Sequence, residues 1–448
     1  MITLNFTLHK FVVIGAGATG QAVLNYLRWR QALVLRILDT RVNPPQLSEP
    51  VSGGPLAFAQ LRDADVIVIS PGVSIYEPAL QSALSQGKAV IGDIELFAQA
   101  IRCWPTKVIG ISGSNGKTTV TSLTGFLATS GGIKTVVAGN IGTQVLEVLM
   151  ELETSGAYPE LIVLELSSFQ LETTQSLNLV SATVLNISED HLDRYRDLLE
   201  YAYVKANIFN NCQIQVLNVD DPMVMAMARP GLGHSYFGSG AATYALCERG
   251  VERWLTVAGE DYLEVGALQL VGQHNYSNCL ASLALLAGAG YHPAQFKDSL
   301  SQFGGLEHRM QKVCENAGVL YLEDSKGTNV GAVIAGVSGI ERPVHLILGG
   351  DGKGQDFTPL RHLVSTKCKS VALIGQDAAA LAAVLDGLPN ICRYSSLEAA
   401  VSGCVAQAVA GDAVILSPAC ASWDMFSNYK QRAQVFIDSI YAIIQKDL

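Results

Sequence analysis

The stretch Lys107-Val108-Ile109-Gly110-Ile111-Ser112-Gly113-Ser114-Asn115-Gly116-Lys117-Thr118-Thr119 decides how this 448-residue chain folds. Residues 107–111 read as an apolar strand, the glycine-rich turn follows at once, and Lys117 opens a helix. A strand, loop and helix in this order is the repeating unit of a parallel sheet whose ligands sit at the carboxyl edge. The loop's backbone N–H groups can cradle phosphates, Lys117 can reach the outer phosphates, and the Thr118 hydroxyl can ligate Mg²⁺. The pattern departs from the full P-loop form, because Ile111 stands where its first glycine would fall. The mechanics rest on the closing Gly116-Lys117-Thr118.

Upstream, Gly15-Ala16-Gly17-Ala18-Thr19-Gly20 follows the apolar run Phe11–Ile14, and Asp39 ends the next strand. This is the spacing of a dinucleotide fingerprint, with glycines for close approach of a diphosphate and a carboxylate for a ribose hydroxyl. A nicotinamide-dependent oxidoreductase is one alternative, and an empty glycine turn is another. Thr40-Arg41 directly after Asp39 suits an anion, so diphosphate binding is favoured, while nicotinamide does not follow from it. Two successive phosphate cradles imply two nucleotides, or one nucleotide and a nucleotide-linked substrate. Downstream, Glu165 ends the run Leu161–Leu164, and Asn186 ends the run Ala182–Leu185 ahead of Glu189-Asp190-His191-Leu192-Asp193. An acidic and a histidine side chain after a phosphate loop are candidate Mg²⁺ ligands.

Nearly half of the residues (49%) are apolar and 16% are charged, with a mean hydropathy of +0.27. No apolar run reaches the roughly 18–20 residues that span a bilayer, and no signal-peptide pattern precedes the first strand. The apolar excess therefore belongs to sheets buried on both faces. Forty acidic against 30 basic residues, with no basic block, argue against nucleic acid. Nine cysteines without a C-x-x-C pair point to a reducing cytoplasm rather than to disulfides or structural zinc. The alternating strands and helices read as α/β in three domains: Rossmann-like over 1–103, a P-loop domain with a mostly parallel sheet over 104–305, and Rossmann-like again over 306–448. Between Tyr236 and Gly272 short alternating strands suggest a small antiparallel excursion.

Four segments of the second domain resemble the Mur ligases of peptidoglycan synthesis: residues 112–118, Gly139-Asn140-Ile141-Gly142, Glu165 to Glu172, and Asn186 to Tyr195. Asp324-Ser325-Lys326-Gly327-Thr328-Asn329, Gly349 to Lys353 and Ser417 to Asp424 narrow the resemblance to the branch that adds D-glutamate. Gly327 is a small departure, since the family often carries Ala there. The opening with Asp39-Thr40-Arg41 disfavours the related folate enzyme, and the lack of an Asp-Asn-Pro-Arg segment disfavours the diaminopimelate-adding enzyme.

The resemblance implies a monomeric, cytoplasmic, ATP-dependent ligase that joins D-glutamate to UDP-N-acetylmuramoyl-L-alanine through an acyl phosphate, with no membrane or nucleic-acid partner. It assigns Ala18, Thr19, Asp39, Thr40, Arg41, Gly72, Asn140 and His191 to the UDP-linked substrate. ATP falls to Gly113, Ser114, Asn115, Gly116, Lys117, Thr118 and Thr119, with Asn275, Asn278, Arg309 and Asp324. D-glutamate falls to Thr328, Lys353, Ser422 and Tyr429. Lys117, Glu165, His191, Lys205 and Lys326 are the implied catalytic set. Thr118, Glu165, His191 and Lys205 are implied to hold two Mg²⁺ ions.

Lys205 carries a reading of its own. Residues 200–209 read as a helix with Tyr201, Val204, Ile208 and Phe209 on one stripe, and Lys205 falls on that stripe. A buried ammonium is costly unless paired. Pairing with a carboxylate, or snorkelling to the helix edge, is the alternative. The resemblance implies instead that the neutral amine takes up CO₂ as a carbamate.

Overall fold

The structure, a computed structural model, describes residues 3–190, 194–270, 272–388 and 390–446. The chain forms two compact units, one of Met1–Ile187, Asp193–Leu263 and Cys279–Leu300, the other of Ser188–Leu192, Glu264–Asn278 and Ser301–Leu448. Among the described residues the strands make three sheets.

The first unit carries two of them. One is wholly parallel, in the order Val51–Gly53, Leu33–Asp39, Lys10–Ile14, Val66–Ile69, Ala89–Ile91. Its strand order reverses beside Lys10–Ile14, and the turn that follows, Gly15–Gly20, lies at the crevice such a reversal opens. The other runs Thr135–Gly139, Leu161–Glu165, Lys107–Ser112, Leu179–Val184, Cys212–Asn218, Gly233–Ser239, Tyr244–Arg249, Glu252–Val257, Glu260–Glu264. Its first seven strands are parallel, and the turn to antiparallel comes only between Tyr244–Arg249 and Glu252–Val257. The expected excursion is thus an extension of the main sheet that begins parallel. Gly238 and Gly240, at φ +133° and +67°, let the chain loop back within a few residues and re-enter in the same direction. Alternation of apolar residues carries no information about that direction.

The second unit holds the third sheet, in the order Gln311–Asn316, Val319–Glu323, Ala413–Leu416, Val344–Gly349, Cys368–Ile374, Ile391–Arg393. Only its first pair is antiparallel. Central strands such as Val66–Ile69, Leu161–Glu165 and Val344–Gly349 are buried along their whole length, which accounts for the apolar composition. Among the described residues no helix is long and apolar enough to cross a membrane.

Two boundaries differ from the sequence reading. The strand expected to end at Asn186 is Leu179–Val184, so Asn186 stands in the loop beyond it. The helix expected over 200–209 is Leu198–Ala206, capped by Asp197, whose carboxylate accepts from the Glu200 N–H at 2.8 Å. It finishes as a 3₁₀ turn over Asn207–Phe209.

Candidate functional site

A cleft of about 640 Å³ opens where the glycine turn Gly15–Gly20 meets the Gly139–Gly142 loop. Seven of the residues assigned to the UDP-linked substrate line it: Ala18, Thr19, Asp39, Thr40, Arg41, Gly72 and Asn140. The eighth, His191, lies outside the described residues. The glycines divide the work. A Cβ on Gly20 would fall 1.8 Å from the Gly15 carbonyl oxygen, so Gly20 is needed for packing, whereas a Cβ on Gly17 would meet nothing within 4 Å. Gly17 therefore leaves open space at the helix N-terminus, where a diphosphate gains from unpaired N–H groups.

Asp39 does not stand ready for a ribose hydroxyl. It is 2% exposed, accepts from the Ala16 N–H at 2.7 Å, and takes both the Arg41 backbone N–H and a two-point grip from the Arg41 guanidinium. That guanidinium holds the carboxyl down at about 2. The carboxylate fixes the glycine turn and aims Arg41, and Arg41 is the group that faces solvent in the cleft.

Two neighbours of the cleft were not singled out by sequence. Gln144 accepts from the Thr19 hydroxyl at 3.0 Å. Arg194 donates to the carbonyls of Pro71 and Val73, on either side of Gly72, while its guanidinium pairs with Glu172 and stacks 4.2 Å from the Phe169 ring. Arg194 sits within a motif already quoted, but its partners are distant in sequence and nothing in the spacing announces them.

The phosphate loop lies at the carboxyl end of the adjacent central strand. Gly113 and Gly116 take φ of +146° and +84°, a region closed to most side chains. Asn186 pins the loop: its carbonyl accepts from the Ser114 N–H, its side-chain oxygen from the Asn115 N–H, and its amide donates to the Asn115 carbonyl. The Lys117 ammonium folds onto the Gly113 and Ser114 carbonyls at 2.7 and 2.8 Å. Thr118 and Thr119 follow in the first turn of the helix Lys117–Ser130. Lys205 is 1% exposed, and its ammonium donates to the same Gly113 carbonyl at 2.9 Å while lying 4.6 Å from the Tyr201 ring centre.

Glu165 ends its strand and is 2% exposed. One carboxylate oxygen accepts from the Asn140 amide at 2.9 Å. The other is buried with no hydrogen-bond partner among the described residues. A half-satisfied buried carboxylate beside a phosphate loop fits a divalent cation. Among the described residues no three His, Cys, Asp or Glu side chains form a metal cluster of their own.

In the second unit, Lys326, Thr328, Lys353 and Ser422 stand on loops that follow the strands ending at Glu323, Gly349 and Leu416, at the carboxyl edge of the third sheet. Asn275 and Asn278 are buried at the start of the helix Gln273–Gly288 and hydrogen-bond each other at 3.2 Å. Loops 324–328, 349–353 and 417–422 are laced by backbone bonds: Ala419 N–H to the Gly327 carbonyl, Gly349 N–H to the Pro418 carbonyl, and a two-way bridge between Asp351 and Ala421. This sets Lys326 and Thr328, Lys353, and Ser422 on neighbouring loops. The Lys326 ammonium lies 5.4 Å from the centre of the Tyr429 ring, a cation–π contact. Lys353 is exposed at φ +53°, and Ser422 is buried. Gly327 has a local reason: a Cβ there would come 2.5 Å from an Asp324 carboxylate oxygen and 3.0 Å from the Ser417 hydroxyl.

Asp324 is buried, and burial pushes its carboxyl up to about 7, against a Ser417 hydroxyl at 2.6 Å and the nearby Arg309 charge. An unfolded aspartate releases its proton near 3.9. Between about pH 4 and 7 this carboxyl therefore holds a proton in the folded protein that it has lost in the unfolded chain, and its contribution to stability falls as pH rises through that window. Urea unfolding at several pH values should show this decline, and Asp324→Asn should flatten it. An unchanged slope in the variant would contradict the assignment.

Three family models match the chain: Mur ligase MurD-like, N-terminal domain, over residues 9–92; Mur ligase middle domain, over 111–286; and Mur ligase, glutamate ligase domain, over 308–420. The chain is 47% identical to a UDP-N-acetylmuramoylalanine--D-glutamate ligase of Chromobacterium violaceum, over 98% of this chain and 99% of that one. It is 44% identical to the enzyme of the same name from Nitrosomonas europaea, over 99% and 98%. Among solved structures it is similar in fold to MurF of Acinetobacter baumannii (TM-score 0.63, 16% identity, 96% and 90% covered). The fold is also similar to that of the UDP-N-acetylmuramate-alanine ligase MurC of Thermotoga maritima (TM-score 0.58, 17% identity, 97% and 99% covered).

Proposed function

This chain belongs to the Mur ligase family, and from that membership and the site we infer that it joins D-glutamate to UDP-N-acetylmuramoyl-L-alanine with cleavage of ATP to ADP and phosphate. The observation that carries the reading is Asn140, which lines the cleft of the glycine turn and hydrogen-bonds the buried Glu165 carboxylate beside the phosphate loop. One residue thereby links the place for a UDP-linked substrate to the place where phosphoryl transfer would occur.

The substrate carboxylate attacks the γ-phosphorus of ATP, giving an acyl phosphate and ADP. The D-glutamate amine then attacks the acyl carbon, and phosphate leaves. The task is to hold anions and a nucleophile together, so positioning and charge stabilisation supply most of the acceleration. In this reading residues 113–119 cradle the ATP phosphates and Lys117 leaves its carbonyls to meet the transferring group. Asn275 and Asn278 serve adenine, Arg309 the phosphates and Asp324 the ribose. Lys326 steers the acyl phosphate, and Thr328, Lys353, Ser422 and Tyr429 hold the amino acid. Thr118, Glu165, His191 and a carbamate on Lys205 would hold two Mg²⁺ ions, which when bound neutralise phosphate charge. A monomer working in the cytoplasm completes the reading.

Release of ADP, followed with UDP-N-acetylmuramoyl-L-alanine and one amino acid at a time, tests it. D-glutamate alone should support turnover; equal rates with L-glutamate or diaminopimelate would refute the assignment. The glycine-turn cleft is tested separately by calorimetry. The UDP-linked substrate should bind saturably, and Arg41→Ala should weaken it by about tenfold, as loss of a charge-assisted anion contact does. Tight NADH binding at the cleft would favour the oxidoreductase alternative.

A further inference from the structure

Arg432 is among the largest fully buried side chains of the protein, 0% exposed on the helix Tyr429–Lys446. Burial lowers its pKa only to about 10, so it remains a cation at neutral pH. A buried cation opposes folding unless its N–H groups are well used. Two of them go to backbone carbonyls: Nη2 donates to Ser325 at 2.8 Å and Nη1 to Cys420 at 3.1 Å. Neither carbonyl belongs to a strand. Ser325 immediately precedes Lys326, and Cys420 lies two residues before Ser422. Directly before Cys420, Ala419 is held at φ +60°, a left-handed conformation that a residue with a Cβ adopts only when its surroundings enforce it. Tyr429, one turn earlier on the same helix, lies against the Lys326 ammonium.

We propose that Arg432 is a positioning residue for the amino-acid substrate, its planar fork setting the separation of the loop bearing Lys326 and Thr328 from the loop bearing Ser422. The occupant is an amino acid with two carboxylates, whose ends must meet groups on both loops at once. The proposal rests on the reading of these loops as the D-glutamate site. A lysine could keep the charge but not the fork, because its ammonium is a single point with no fixed two-way geometry. A methionine would fill the space and leave both carbonyls unpaired.

Steady-state kinetics on Arg432→Lys and Arg432→Met, with each of the three substrates varied in turn, test this, and far-ultraviolet dichroism checks the fold. The KM for D-glutamate should rise at least tenfold in both. The KM values for ATP and the UDP-linked substrate should stay within about twofold, and kcat at saturating D-glutamate should be largely kept. An unchanged D-glutamate KM in a folded variant, or an equal rise in all three KM values, overturns the proposal. So does failure of both variants to fold, which would mark Arg432 as purely structural. Lys353→Ala separates this from the underlying reading: if it too leaves the D-glutamate KM unchanged, the loops do not bind the amino acid.

Discussion

Lys117→Ala should keep its fold and lose roughly 10²–10³ in the rate of ATP turnover, the usual loss when one charge-stabilising group is removed from a reacting centre. The ammonium donates to the Gly113 and Ser114 carbonyls of its own loop, and Gly113 keeps a second donor in Lys205. The helix that Lys117 opens is anchored elsewhere, by Val120, Leu123 and Leu127, all fully buried. Deleting the side chain therefore removes a cation without opening a cavity in the core. With phosphate bound, the same ammonium would exchange two carbonyls for phosphate oxygens, a stronger partner because it is charged. ADP release with all substrates present measures the rate, and thermal unfolding checks the fold. Ordinary turnover in a folded variant would remove residues 113–119 from the chemistry.

What could be read from sequence follows from where each signal resides. Central strands are buried on both faces, so they appear as unbroken apolar runs flanked by turn residues. The runs at Phe11–Ile14, Lys107–Ile111 and Leu161–Leu164 all became strands. The four strands that escaped the sequence reading, Val51–Gly53, Thr135–Gly139, Gln311–Asn316 and Ile391–Arg393, each lie at a sheet edge. They are short or half exposed, and an edge strand needs neither a continuous apolar run nor clean alternation.

The site divides in the same way. The phosphate loop and the glycine turn are local, because their glycines sit next to the groups they serve. Asp39 was legible as a carboxylate at the correct spacing, yet its occupation by Arg41 depends on side-chain rotamers that spacing does not encode. Arg432 gave no signal, because a single arginine in an amphipathic helix is ordinarily solvated and only the tertiary fold closes solvent off. Lys205 is the opposite case: its place on an apolar stripe was enough to anticipate burial, and the structure buries it.

Lys205→Ala should therefore lose most activity, and added acetate should restore part of it. The amine lies at the end of the helix Leu198–Ala206, out of reach of solvent, with its nitrogen 2.9 Å from the Gly113 carbonyl and 3.5 Å from the Ser112 hydroxyl. Two lysine ammoniums thus converge on the carbonyl of Gly113. In the proposed reading the neutral amine adds CO₂: the nitrogen lone pair would form an N–C bond, one proton would leave, and an anionic carbamate would stand where the cation was. Such an anion would be attracted to Lys117, where a cation is repelled. It would also give a divalent ion a second anionic oxygen ligand to set beside the unpartnered Glu165 oxygen. Alanine leaves room behind, and a small carboxylate entering it can supply the missing negative oxygens without the tether, which is why acetate should rescue in part and a neutral amide such as acetamide should not. Rates of ADP release with and without acetate measure the effect. Full activity in the alanine variant, or a high-resolution density map of the substrate complex with an unmodified lysine at 205, would show that the amine acts without CO₂.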